Sequence, residues 1–189
     1  GGVQSPRRQA RLGDDDRRFT DRHVAYYAAR AVGGCGIIVT EGASVHESDW
    51  PYERAPLAER CSDGWARIVA ACRPHGALVL ASLDHAGGQG SSAYSQAPLW
   101  APSRQPEVNS REVPKWMEPE DIAAVVAGFG AAAKLAVEAG CDGVEINATT
   151  DGEFDFSDLL VDDSERIEVV RGPQSGIWGA NALSGLINI

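Results

Sequence analysis

The 189-residue sequence has no apolar run approaching the ~20 residues of a membrane-spanning helix, so a helical membrane anchor is not expected. It has no Cys-x-x-Cys pair and no histidine at zinc-finger distance from its four cysteines, which excludes the common zinc and dithiol-redox motifs. Its opening residues contain Arg7, Arg8 and Arg11 but no apolar stretch of the kind that makes a secretory signal, so export is not expected. Positive charge is scarce: 17 Lys and Arg face 27 Asp and Glu, a net charge of −10 that repels nucleic acid and anionic lipid at long range. These absences leave a chain expected in the reducing cytoplasm, with small-molecule chemistry and no nucleic-acid or membrane partner.

What is present is an ordinary globular composition, 43% apolar and 23% charged, which rules out wholesale disorder. Charge divides the chain into three stretches: residues 1–12 are basic and are expected to be disordered, while 13–150 and 151–189 are each acidic. Cys35 and Cys141 each open an apolar run and read as buried small thiols.

From Thr20 the pattern becomes regular. Thr20 caps a helix over Asp21–Val32 that Gly33-Gly34 stops, and Cys35–Thr40 is a β-branched run without alternation, as in a strand buried on both faces. Ser62 caps a second helix with Trp65, Ile68, Val69 and Cys72 on its apolar face, and Ala77–Leu83 is the second buried strand. Asp84–Lys115, rich in Gly, Ser, Pro and Gln, is too long for a simple connector, and loops of that length are usually functional or mobile.

Glu118-Pro119-Glu120-Asp121 opens a third helix, with proline in the first turn and carboxylates at the positive end of the dipole. Ile122, Val125, Val126, Phe129, Ala133, Ala136 and Val137 recur along it at helical spacing, and Gly143–Ile146 is a third strand. Helix and strand alternate, which implies parallel strands joined by helical crossovers: an open doubly wound sheet or a (β/α)8 barrel. Both place their chemistry at the carboxyl ends of the strands. Those ends are Thr40-Glu41-Gly42, Ser82-Leu83-Asp84-His85 followed by Gly87-Gly88, and Glu145-Ile146-Asn147. Each turns from apolar to polar or glycine within two residues, as a ligand-binding rim does, although polar residues also end most strands that bind nothing.

The segments His23-Val24-Ala25-Tyr26-Tyr27, Gly33-Gly34-Cys35-Gly36-Ile37-Ile38-Val39-Thr40-Glu41-Gly42, Leu83-x-His85-x-Gly87 and Ala139-Gly140-Cys141-Asp142-Gly143-Val144-Glu145-Ile146 occur in the order seen in the old yellow enzyme family. Over about Gly13 to Ala148 the chain resembles these FMN-dependent NAD(P)H:flavin oxidoreductases and ene-reductases. The resemblance implies part of a (β/α)8 TIM barrel, about three βα units, with FMN as cofactor and NAD(P)H as reductant. It also implies hydride transfer through the flavin to an activated alkene.

Mapped onto this sequence, the resemblance places Gly42 where backbone approaches the isoalloxazine, with Glu41 beside it. Ser82 falls where a glutamine usually bonds the flavin pyrimidine, and Asn147 at the first of two donors to the substrate carbonyl. His85 stands at the same rim, as a ligand contact or as a histidine packed at a strand end. Thr150 replaces the second donor, Gly152 the usual proton-donating tyrosine, and Gly88 the usual arginine. A first strand before Gly13 and strands five to eight after Ala148 are not recognisable, in a fold that takes about 250 residues.

Residues 151–189 differ. Arg166-Ile167-Glu168-Val169-x-Arg171-Gly172-Pro173-x-Ser175 and Gly179-x-x-Ala182-x-x-Gly185-x-Ile187-Asn188-Ile189 are similar to the end of the plug domain of TonB-dependent receptors. Arg166–Arg171 reads as an alternating strand, Gly172-Pro173 as a turn and Leu186–Ile189 as a second short strand. The chain is therefore expected to be a leader over 1–12, a truncated barrel segment over 13–148 and a plug-like α+β tail over 149–189. The alternatives are a plug-like interaction module or a mosaic without function. Three parallel strands leave two open edges, through which self-association is expected.

Overall fold

A computed structural model describes residues 12–106, 110–147, 168–171 and 185–188, the last two stretches by their backbone. Residues 1–11, Thr150, Gly152 and the Gly172-Pro173 turn lie outside the described residues.

Helix α1 spans Asp21–Val32, and its start is closed by a reciprocal cap in which His23 takes the place usual for glutamate. The Thr20 hydroxyl accepts from Arg22 N–H, and Thr20 N–H donates to His23 Nδ1 at 3.0 Å. Strand β1, Ile37–Val39, and β2, Ala43–Ser44, follow. Helix α2 spans Ser62–Cys72, with Cys61 rather than Ser62 as its cap residue, and strand β3 spans Leu78–Asp84. The long connection is itself folded: it holds the single turn α3, Ser92–Ser95, and the paired two-residue strands β4, Trp100–Ala101, and β5, Lys115–Trp116. Helix α4, Pro119–Glu138, and strand β6, Gly143–Asn147, complete the repeating part.

Strands β1, β3 and β6 pair in parallel in that spatial order, with α2 and α4 as the crossovers. The helix layer covers one face of this sheet. Ile38, Val79, Ala81, Leu83 and Val144 point into it and meet Trp65, Ile68, Val69 and Ala136. The other face is open: Ile37 and Leu78 are 44% and 50% exposed. The expectation of strands buried on both faces therefore fails on one side, because among the described residues helices pack on one side only. Cys35 is also exposed, contrary to its reading as a core thiol. It precedes β1 at the sheet's amino end, outside the core, and its thiol donates to Ile37 O.

Helix α4 is rotated from the face its sequence suggests. Val125, Ala132 and Ala136 are buried, whereas Ile122, Val126 and Val137 are exposed. Small residues set this rotation, because the helix comes so close to the loop after β2 that a β-carbon on Gly128 would collide with Val45 O.

The backbone of the tail forms strands β7, Glu168–Arg171, and β8, Gly185–Asn188, close to the expected pair. They pair antiparallel, and β8 lies antiparallel against β6 through Glu145 and Asn188. The sheet order is thus β1-β3-β6-β8-β7, and the β6 edge expected to be open is partnered. No helix among the described residues is long and apolar enough to cross a membrane.

The Gly128 contact generates a test. Gly128→Val forces backbone or helix displacement, and an overpacking penalty of about 1–3 kcal/mol is expected as a lowered urea midpoint.

Candidate functional site

The register between β1 and β3 breaks where the strand ends begin. Val39 pairs with Leu80 and Ala43 with Leu83, so Thr40, Glu41 and Gly42 oppose only Ala81 and Ser82. The extra residue is a β-bulge, a device that re-aims side chains and that often lies next to active sites. Ser82 N–H, unmatched at the bulge, donates to Thr40 Oγ1 at 3.3 Å.

The bulge turns Glu41 into the helix layer. Its Oε2 lies 2.8 Å from His23 Nε2, its Oε1 accepts from the Tyr52 hydroxyl at 2.5 Å, and its backbone N–H donates to the Tyr27 hydroxyl at 2.6 Å. Because His23 Nδ1 accepts the Thr20 amide, the proton of a neutral ring sits on Nε2, aimed at Glu41. One imidazole therefore closes the cap of α1 and satisfies the carboxylate of the bulge. Burial first, then the Glu41 charge, raises the Tyr27 and Tyr52 phenols well above their usual range.

The open face carries the remaining strand-end residues. Ser82 lies beside Glu145, to which its hydroxyl donates at 3.5 Å, and Asp84 lies beside Asn147 in the next row. Ser44 flanks Asp84 on the other side. Burial raises the Glu145 carboxyl, with the Ser82 bond opposing. Gly42, Ser82 and Asn147 thus gather at one tip of the sheet. Asn147 is exposed, and Ser82 and Glu41 are buried. The space over Gly42 is taken by the Asp84 carboxyl, which a β-carbon at Gly42 would strike.

Residues that the strand-end pattern did not single out complete the tip. Arg17 is buried although it belongs to the loop before α1. It donates to Ala55 O at 2.8 Å and Asp49 O at 2.7 Å, and its guanidinium lies 4.4 Å over the Trp50 ring. Asp49 Oδ1 accepts from Ala86 N–H at 3.0 Å, which fixes the turn after β3.

His85 Nδ1 accepts Gly87 N–H at 3.2 Å, and His46 Nδ1 accepts Ser48 N–H at 3.2 Å. With both acceptors fixed, the neutral rings define one direction through the hydroxyl: His85 Nε2–H to Ser48 Oγ at 3.1 Å, and Ser48 Oγ–H to His46 Nδ1 at 2.9 Å. Burial lowers the His85 pKa, against the pull of Asp49. These partners lie more than thirty positions apart for Arg17–Asp49 and Ser48–His85, and no local motif marks them.

A flavin ring needs a floor and polar groups at its edge. Val39 and Leu80 lie side by side in the register, and Ser82, Asp84 and Asn147 stand on the strands beyond them, so the residues present fit one edge of such a ring. Arg17, the buried cation at this end, donates from Nε and Nη2 to the Ala55 and Asp49 carbonyls. Two clefts, of about 300 and 410 Å³, are lined by the α4–Val45 seam and by Ser92–Pro98 and do not open onto the tip. No grouping of three or more metal-ligating side chains occurs among the described residues.

The His23–Glu41 pair yields the second test. His23→Ala leaves the buried Glu41 side chain without its imidazole donor, and a loss of about 1–3 kcal/mol is expected in urea unfolding.

Comparison with known proteins follows this geometry. The profile of the NADH:flavin oxidoreductase / NADH oxidase family matches residues 3–151, and that of the TonB-dependent receptor plug domain matches 118–186. A metal reductase of Desulforamulus reducens is 38% identical over 131 residues, covering 69% of this chain and 20% of that protein. An NADPH dehydrogenase of Listeria monocytogenes is 34% identical over 155 residues, covering 77% of this chain and 43% of that protein. The chain therefore spans between a fifth and about two fifths of the length of these relatives. The old yellow enzyme homologue of Zymomonas mobilis superposes with a TM-score of 0.63 at 25% identity, over 71% of this chain and 41% of that one. The fold is that of part of a TIM barrel, and the chain belongs to the NADH:flavin oxidoreductase / NADH oxidase family.

Proposed function

We propose that residues 13–148 are a barrel segment of an FMN-dependent NAD(P)H oxidoreductase acting on activated alkenes, and that they bind one edge of the flavin at the tip of β1, β3 and β6. The observation that carries this reading is the convergence of Gly42, Ser82 and Asn147 at a single sheet end, on strands of the family's fold. FMN, when bound, would supply hydride transfer from NAD(P)H. The chain's own residues would do the rest: Ser82 and the Gly42 backbone meet the ring edge, and the Asn147 amide donates to the carbonyl that activates the alkene. His85 orients the turn after β3 through Gly87 and joins the tip to Ser48 and His46. Glu41 serves this reading indirectly, since both its oxygens are engaged by His23 and Tyr52 and it positions Gly42.

Turnover by this chain alone is expected to be weak. The open face of the sheet favours ring contact over tight holding of the phosphate.

The 149–189 tail, read as plug-like, has a different role in this proposal. Its hairpin covers the β6 edge, which reduces self-association to the remaining edges of the sheet. A plug-type interaction module is the second reading, favoured by the profile match over 118–186. In the oxidoreductase reading the setting is the reducing cytoplasm and the substrate a small molecule rather than nucleic acid.

Flavin titration tests the reading. Wild-type chain is expected to quench FMN fluorescence and to catalyse slow NAD(P)H oxidation with an enone, and Asn147→Ala is expected to raise the enone KM several-fold while leaving FMN affinity intact. Absence of FMN quenching at protein concentrations of about 100 µM, on the millimolar-to-micromolar scale of weak binding, would overturn it.

A further inference from the structure

A neutral imidazole has one lone pair to give and one N–H to donate. Near the sheet tip two imidazoles have each given that lone pair to the backbone amide two residues further on. His85 Nδ1 accepts Gly87 N–H at 3.2 Å, and His46 Nδ1 accepts Ser48 N–H at 3.2 Å. Each ring nitrogen thus stands where the side-chain oxygen stands in an Asx-turn. The Ser48 hydroxyl, 3.1 Å from His85 Nε2 and 2.9 Å from His46 Nδ1, joins the loop after β2 to the turn after β3.

These turns hold the root of the long connection. Gly87 has φ +59°, and its turn packs on β4: a β-carbon at Gly87 would come within 3.8 Å of Trp100 O, and one at Gly88 within 3.6 Å of Ala101 Cβ and Pro114 Cγ. The Trp100 indole in turn stacks on His46, with ring centroids 4.9 Å apart, and carries the Lys115 ammonium 4.7 Å from its centroid. Lys115 bonds the Asp121 carboxylate that closes the start of α4. From the turn after β3 to α4 the contacts are continuous.

A proton added to His85 can go only to Nδ1, because Nε2 already carries one, and an imidazolium has no lone pair left. Its new N–H would then face the Gly87 N–H, and the turn must open. His85 is half-buried, so a proton has access to it. We propose that His85 is the trigger of an acid-sensitive latch: neutral, it fastens the Gly87–Gln89 turn, and with it β4 and β5, to the Ser48–His46 loop, and its protonation releases them. The bearing of this latch on turnover rests on the function proposed above, whereas the latch itself does not.

The surroundings agree with a ring kept neutral. Burial lowers the His85 pKa, Asp49 opposes, and His46 adds to the lowering. Asp84 precedes His85 on β3, and Arg17, Lys115 and Asp121 stand one contact further out, on the Asp49 carbonyl, Trp100 and α4. A histidine lowered on folding contributes stability that is present above its unfolded value, about 6.5, and is lost as pH falls through the folded one. The latch is therefore closed at neutral pH and opens in acid.

Asparagine is the discriminating substitution, since its side-chain oxygen accepts the amide two residues on and does not titrate. Long-range proton–nitrogen NMR of the nitrogen-15-labelled full-length chain, between about pH 4 and 8, reads the tautomers directly. At the upper end both His46 and His85 are expected to carry their proton on Nε2. As His85 gains its second proton, the Gly87 amide is expected to shift with the same midpoint and to lose about tenfold in exchange protection, and the Trp100 indole to follow. His85→Asn is expected to hold both signals flat across the range, and His85→Ala to show the released positions throughout. An Nδ1–H tautomer in either ring at the upper end, a His85 ring still neutral at the lower end, a Gly87 amide that ignores the His85 titration, or an unchanged transition in His85→Asn would each overturn the latch.

Regulation has its own readout. With FMN, quenching by wild type is expected to weaken several-fold below the His85 midpoint, and quenching by His85→Asn to stay constant. Equal weakening in both overturns the regulatory role. Absence of FMN quenching at every pH overturns the function proposed above and leaves the tautomer and exchange results standing.

Discussion

The arrangement of the sheet tip depends on one buried carboxylate. Glu41 sits in the bulge between β1 and β2, which re-aims its side chain. Here the side chain is received from two directions, by His23 of α1 and by Tyr52 of the loop after β2, while Tyr27 accepts the main-chain amide. The same imidazole closes the first turn of α1. Helix start, bulge and loop are consequently one unit, and the position of Gly42 against Asp84 is inherited from it. A polar side chain this deep is tolerated because each of its oxygens has a partner, which is the condition under which buried polar groups stabilise a unique structure.

The contrast with the neighbouring carboxyls is informative. Glu41 has two side-chain donors, whereas Asp49 and Asp84, at the same end of the sheet, each leave an oxygen unmatched. A fold optimised only for stability would supply a donor there or replace the acids. Local unsatisfied polarity beside well-satisfied polarity is the pattern expected where structure serves chemistry. The His85–Ser48–His46 chain runs from the same turn, with its direction fixed by two backbone amides.

Much of this was legible in the sequence, for identifiable reasons. The Thr20 cap, the Pro119 start and the short apolar runs are local signals, and the helices and strands follow them within a residue or two. The bulge was not legible, because one additional residue among Thr40, Glu41 and Gly42 changes no hydrophobic pattern while it reverses the aim of Glu41. The rotation of α4 escaped for a related reason: its large apolar residues mark one face, and the closeness permitted by Gly128 and Ala132 selects another. Arg17, Asp49 and Ser48 reach the tip through contacts across the chain, and a sequence shows such partners only when homologous positions vary together.

The two resemblances in the chain meet at β6, and the pairing found there follows from backbone demand rather than from ancestry. A parallel strand at the end of a sheet offers a row of unmatched amides and carbonyls, and any extended segment within reach can take them up. The plug-like hairpin does so in the antiparallel sense, through β8 against β6. An antiparallel neighbour can be supplied by a hairpin with its own internal ladder, as β7 and β8 have, whereas a parallel one would need a crossover helix. The hairpin thus meets an edge at one register pair, Glu145 and Asn188, without reproducing a barrel. It does nothing for the open face of Ile37 and Leu78, which an edge strand cannot cover. Edge and face are separate demands of the same sheet, and among the described residues the hairpin addresses only the first, at Glu145 and Asn188.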